Sequence, residues 1–443
     1  MEDPDVESDE AFVDLNSAEY EEMADLDEDD EAPMSSDDEE DVTAADDAED
    51  RDECGTETVT PDRDDAELVI DAHAASVFCV AWSSLTDEAT VATGGGDDKG
   101  YLRRGAASVP LGGHEESVSA CAFSGDGGLL ATGGLEGRVC VHDGKSGELL
   151  RSLDGPGGGI DWLSWHPRGR VVLAGSEDFT AWMWNGDDGA LMQVFTGHSE
   201  RVSCGGFTPD GKQVVTGSYD GSLRVWQPRT GHCEHVFRGH PFHDGPLTCV
   251  AFHPTNQGLS ITGSEDNTAR LVNIGNGKVL APLAAHTETI EAVGFCDVMP
   301  LAATGSIDKL AIIWDTNTCQ SRGSLAHDGA VSQLKWIPNT MMLYRCVQTT
   351  RRRGRIPSPS LTSSSGPHPI HQQLAAPTDS SLVRPPRSSS VDGAVRLWDA
   401  RSNTCVRDAR GHVKGILDFA LSPDHARVIT ASDDCTARVF NFQ

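Results

Sequence analysis

The sequence predicts an all-β protein, an eight-bladed β-propeller, and three observations carry that prediction. A unit of three short β-type runs separated by turn signals recurs along most of the 443 residues. A histidine, mostly after Gly or Ala, marks the units at His73, His114, His198, His240, His286, His327 and His412, with intervals of 41, 84, 42, 46, 41 and 85. The last unit stops one strand short, while an unassigned strand precedes the first. The clearest unit is His286–Asp315. It holds the apolar run Ile290–Phe295, a turn at 298–300, Leu301–Gly305, Asp308 in a tight turn, and Leu310–Asp315 reading LAIIWD.

Taken in order, residues 1–65 are a separate region. They carry 31 Asp/Glu against Arg51 and Arg63, a net of −29 out of −36 for the chain. Too few apolar residues and too much like charge predict a disordered acidic tail. The clusters Phe12–Val13–Leu15 and Tyr20–Met23 are candidate docking points there. Ser8, Ser35 and Ser36, each followed by acids, are candidate phosphorylation sites.

The repeat domain is expected over 66–443, with units starting near His73, His114, Gly155, His198, His240, His286, His327 and His412. The interval of 84 hides a degenerate unit, in which Ile160–His166, Val171–Gly175 and Thr180–Trp184 still give three strands. The interval of 85 hides an insertion, 347–389, rich in Ser, Pro and Arg and without periodicity. Its 43 residues carry six Arg and one Asp, and their removal leaves one normal period of 42. Two readings stand: a disordered surface loop that folds back on the acidic tail, or a retained intron opening at Val347–Gln348. The second is preferred, because structureless loops of this length are uncommon inside compact repeats. The final unit has Ile416–Ser422, Arg427–Ala431 and Thr436–Asn441. The orphan strand Glu67–Asp71 is expected to complete it, closing the ring and removing its open edges.

Composition excludes several functions. The acidic balance argues against direct nucleic-acid binding and for a basic protein or peptide partner. Twelve cysteines form no CxxC pair and sit inside apolar runs such as VFCV around Cys79, so they read as buried structural thiols, not metal ligands or disulfides. The opening MEDPDVESDE is not a secretory signal, and no apolar run reaches the ~20 residues needed to span a bilayer. A monomer is expected, without cofactor or metal, in the cytoplasm or in cytoplasm and nucleus. No nucleophile elbow, phosphate loop or zinc spacing appears; the glycine runs 94–96 and 157–159 lie between strands, not before a helix, so catalysis is not expected.

A repeat of this length with Gly-His early and Trp-Asp late resembles the WD-repeat propellers. The resemblance implies a buried polar chain in each blade, running Trp to Ser/Thr to His to turn Asp. His198, Thr216, Asp220 and Trp226 match it, as do His286, Thr304, Asp308 and Trp314, as structural turn locks. Other blades are partial: Arg103 stands at the Trp position of the first, Glu136 and His142 replace Asp and Trp in the second, the third lacks the histidine, the fifth has Val272 and the last Phe440. Segments such as ASVFCVAW (75–82), AGSEDFTAWMW (174–184), GFCDVMPLAATG (294–305) and GILDFALSPD (415–424) resemble, more narrowly, the angio-associated migratory cell protein family. That family is similar in turn to a fungal dedicated chaperone of a ribosomal protein. The chain departs from it in the short end of the first blade, 100–110, and in the insertion.

The resemblance implies a binding activity at the narrow top face. Two slots per blade point there, the second residue of the innermost strand and the residue before the turn Asp. They give Phe78, Asp161, Glu177, Tyr219, Glu265, Glu291 and Asp433 as candidate partner-binding residues, with no Lys or Arg in the sixteen slots. Five acids and two aromatics suit an Arg/Lys-rich peptide. The implied function is that of a dedicated chaperone for a basic large-subunit ribosomal protein in ribosome assembly. The alternative is a signalling or ubiquitin-ligase scaffold in cell migration or receptor-proximal signalling.

Overall fold

A computed structural model describes residues 63–84, 89–348 and 393–443. These residues form 32 β-strands and no helix, arranged as eight four-stranded antiparallel sheets. The sheets are the eight expected blades. The first is β2 (Val77–Trp82) to β5 (Ala107–Leu111), and the second is β6 (Val118–Phe123) to β9 (Leu149–Leu153). Each later blade follows with the next four strands, through β26 (Ala330–Trp336) to β29 (Thr404–Arg410) in the seventh. The degenerate third unit forms a regular blade from β10 (Ile160–Trp165) to β13 (Leu191–Phe195).

The eighth blade mixes distant parts of the chain. β30 (Ile416–Leu421), β31 (Arg427–Ser432) and β32 (Ala437–Asn441) are joined by β1 (Leu68–Ile70), which pairs antiparallel with β32 in the register Leu68–Val439 and Ile70–Ala437. Ordered contacts begin earlier than the expected boundary at 65. The Asp65 amide donates to the Arg410 carbonyl, and Asp64 pairs with Arg438. Ile70, Val77, Val80, Ile429 and Val439 form one buried cluster across the seam between blades 8 and 1, and the Val80 amide donates to Asp418 at 3.0 Å. The ring is therefore closed by hydrophobic burial and backbone pairing together.

The second strands of the blades are buried almost throughout, because both faces pack on neighbouring blades. β3 (Thr90–Gly95), β7 (Leu129–Gly134) and β23 (Leu301–Ser306) are buried along their whole length. Outer strands alternate and leave apolar side chains such as Leu191, Met192, Val236 and Leu280 half exposed on the rim. The eleven described cysteines are free thiols, and burial pushes Cys140 and Cys204 up to about 12, which keeps them protonated at neutral pH.

The acidic tail and most of the insertion lie outside the described residues. The insertion's expected first residues, Val347 and Gln348, belong instead to β27 (Met342–Gln348), so this strand runs two residues past Cys346.

Candidate partner-binding face

The two matched locks form as the resemblance implied. His198 places Nδ1 3.1 Å from Asp220 and Nε2 2.8 Å from Thr216 Oγ1, which also accepts from Trp226 Nε1 at 2.8 Å. His286, Asp308, Thr304 and Trp314 repeat this at 2.8, 2.7 and 2.9 Å. In the second blade Glu136 substitutes for the aspartate, and His142 stands 3.1 Å from Thr132 in place of the indole. Burial alone would raise the Asp220 carboxyl, but hydrogen bonds from His198 and Ser222 outweigh it and hold the group well below the usual range.

One marker needs correction. The fifth blade's lock is made by His243, at 2.8 Å from Asp266 and 2.9 Å from Thr262, while His240 is exposed on the surface. The interval to the turn carboxylate carries the signal. It is 22 residues from His198 and His286 and 23 from His243. His240 would stand 26 from Asp266.

These locks fix the turns that bear the predicted top-face residues. After each lock acid the backbone enters the left-handed region, at Gly137, Gly221, Asn267, Lys309 and Cys435 among others. The residue before that acid then donates its amide to the carbonyl preceding the innermost strand: Glu177 to Gly159, Tyr219 to Arg201, Glu265 to Pro246 and Asp433 to Gly415. Among the described residues this bond recurs in blades 1 to 6 and in blade 8, and it holds the residue before the turn acid beside the start of the innermost strand.

The result is two groups. Asp161, Glu177 and Tyr219, in blades 3 and 4, gather around one cation, Arg201, while Glu265 and Glu291 of blades 5 and 6 act electrostatically on Tyr219. The Arg201 guanidinium lies 4.1 Å from the centre of the Tyr219 ring, 3.5 Å from Glu177 and 3.9 Å from Asp161. Burial pushes the Tyr219 phenol up, Arg201 opposes this, and the Glu265 and Glu291 carboxylates add to the push. Phe78 and Asp433 sit across the ring at the seam of blades 8 and 1, where Ser76 donates to Asp433 at 2.5 Å and Phe78 lies beside Gly96.

Two residues escaped the sequence reading. Arg201 stands three residues before β14 (Cys204–Phe207), the innermost strand of its blade, at a position that the two-slot scheme leaves out. Phe179 follows the third blade's turn acid, Asp178, in the left-handed region at φ 71° and is 44% exposed. A bulky residue where neighbouring blades use Gly or Asn is its signal.

The WD domain, G-beta repeat family matches residues 107–143, 147–185, 189–227, 231–273, 277–315 and 403–441. The chain is 34% identical to angio-associated migratory cell protein of Canis lupus familiaris over 400 residues, covering 86% of this chain and 80% of that one. The Homo sapiens protein of that name gives 34% over 398 residues, with 86% and 81% covered. Among solved structures, Saccharomyces cerevisiae Sqt1 superposes with a TM-score of 0.69 at 23% identity, over 86% of this chain and 99% of the other. Chaetomium thermophilum Sqt1, bound to the N-terminus of the ribosomal protein L10, gives 0.70 at 22% identity over 86% and 100%. At that identity the likeness is one of fold.

Proposed function

Because the chain belongs to the WD domain, G-beta repeat family and stands with the angio-associated migratory cell proteins in it, we propose that it is a non-enzymatic binding protein. Its partner is a basic peptide held on the top face, the N-terminal segment of a large-subunit ribosomal protein, and its role is to chaperone that protein toward ribosome assembly. The observation that carries this reading is an arginine side chain already stacked on Tyr219, with Asp161 and Glu177 on its guanidinium and the Glu265 and Glu291 carboxylates acting on the phenol. Carboxylates flanking an aromatic ring provide both the charge and the π-face that a guanidinium or ammonium recognises. The Sqt1 structure that holds the L10 N-terminus supports the choice of partner.

The test is recovery of partners by the tagged protein from its own cytosol, at low and moderate salt, beside a variant with Asp161, Glu177, Glu265, Glu291 and Asp433 all changed to Ala. One basic ribosomal protein is expected with the wild type, lost in the variant and weakened by salt. Equal recovery of membrane-proximal or ligase components by both forms would instead favour the scaffold reading. The half-exposed apolar rim of Leu191, Met192, Val236 and Leu280 is the surface on which that reading would rest.

A further inference from the structure

The top of the third blade presents apolar surface that the fold itself does not use. Among the described residues, large apolar side chains more than a third exposed lie on outer strands, with Val298 in a turn of the opposite face. The exceptions are Leu135 and Phe179, at 42% and 44%. Both stand on the top-face turns that join the second and third strands of blades 2 and 3. Phe179 holds the position after the turn acid, where φ is positive in all eight blades and the other seven place Gly, Asn, Asp, Lys or Cys. A bulky ring is strained there, and its exposure shows that packing does not repay the strain. Strain of this kind collects where a ligand is clamped.

Between these two side chains runs backbone without side chains. The segment that carries the lock histidine in the neighbouring blades here holds glycines at 155 and 157–159. A Cβ on Gly159 would stand 3.1 Å from Leu135 Cδ2, and one on Gly158 would stand 3.2 Å from Glu177 Cβ. One on Gly157 would meet nothing within 4 Å. Leu135 thus borders the glycines on one side and the turn 177–179 on the other. The Gly157 amide donates to Asp178 at 2.8 Å, Ser176 donates to the Gly158 carbonyl at 2.9 Å, and the Glu177 amide donates to the Gly159 carbonyl at 3.0 Å. The floor is therefore pinned, and it lets another chain approach closely. It is also continuous with the charged part of the face, because Glu177 reaches from this turn to Arg201 beside Tyr219.

We propose that the glycine floor at 157–159, bordered by Leu135 and Phe179, is a subsite for one large apolar side chain, leucine or an aromatic, of the basic peptide bound on the top face. The inference rests on the basic-peptide reading and adds a second requirement to the sequence that is recognised. Glu177 and Phe179 are two residues apart, so their Cα atoms lie within about 7 Å, and an extended peptide with its side chains spans that separation in about two to four residues. The recognised segment is then a basic residue with an apolar one close by in sequence. Charge draws any basic chain to the face, and apolar burial chooses among them.

The experiment measures fluorescence anisotropy of the full chain with two labelled peptides at low and moderate salt. Both carry arginines among serines and glycines; one has a leucine three residues after its central arginine, and the other has serine there. The leucine peptide is expected to bind the wild type roughly fivefold more tightly, a ratio that persists as salt weakens both, because apolar burial is not screened. In Phe179→Asn and in Leu135→Ser the ratio is expected to fall below about twofold. Phe179→Asn gives this turn the residue that the fifth blade has at Asn267, so its Tm is expected to hold or rise. A ratio near one on the wild type, or an unchanged ratio in either variant, overturns the inference and leaves the basic-peptide reading standing. A Tm several degrees lower in Phe179→Asn also overturns it, since the fold would then account for the ring. Binding of neither peptide at low salt removes the basic-peptide reading and the subsite with it.

Discussion

Arg201 is the residue on which the top face turns. It fills the space between Asp161, Glu177 and Tyr219, and on the proposed reading it is a tethered competitor of the partner's basic side chain. Replacing it with Ala releases two carboxylates and one ring face. Arg201→Ala is therefore expected to tighten binding of an Arg-rich peptide by roughly fivefold, about 1 kcal/mol, as read by fluorescence anisotropy at low salt. An unchanged or weaker affinity would mean that the partner does not use this part of the ring. Residues of this kind were the hardest to read in the sequence. The lock residues repeat at a fixed interval, so His198, Asp220, His286 and Asp308 were legible at once. Arg201 breaks its repeat position in one blade alone, and Phe179 puts an aromatic ring at a turn position where the other blades carry none, so only the register of that blade makes the departure visible. His243 was hidden for a related reason: the Gly-His dipeptide at 239–240 imitates the marker, whereas the interval to Asp266 identifies the real one.

At the scale of the element, the closing strand has a role out of proportion to its three residues. β1 covers the edge of β32 and buries Ile70 in the seam cluster. Starting the chain at Arg63 should leave the propeller intact, whereas starting it at His73 should expose that edge and lose several degrees of Tm. Size-exclusion chromatography of the shorter form should show self-association through the bared strand. A monomeric, equally stable short form would show that β1 is dispensable. This element was legible because a strand deficit in the final unit and an orphan strand before the first can only be reconciled by pairing them. The strands themselves were legible as short β-type runs separated by turn signals. Their ends were not, as the extension of β27 to Gln348 illustrates, because pairing with β28 (Ala394–Asp399) and β26, not local sequence, decides where a strand stops.

For the whole molecule, the locks make stability depend on pH in a defined direction. Burial lowers His142 to about 4 and also lowers His243 and His412, so these rings fold neutral and must be charged in the unfolded chain below about 6.5. Their folded affinity for protons is below the unfolded one. The stability they contribute is complete above about pH 6.5 and falls as pH drops toward their folded values. Asp434, held to about 2 where the His412 and Thr436 hydrogen bonds outweigh burial, and Asp220 and Asp266, lowered likewise, add a second loss below about pH 4. Thermal unfolding between pH 8 and pH 3 should show Tm falling in these two windows. A flat profile down to pH 4 would mean that the buried histidines are already charged in the fold.

The pairing of β1 with β32 also sets a timetable for biosynthesis. Ala437 leaves the ribosome 367 residues after its partner Ile70. At roughly 5–20 residues per second that separation is a delay on the order of 20–70 s. Throughout it the first-made strand has no partner, and the eighth blade cannot form until the other seven have been translated. The nascent chain thus carries two unsatisfied ends of one sheet during its own manufacture. Whatever shields them in that interval governs the yield of folded protein as much as the final stability does.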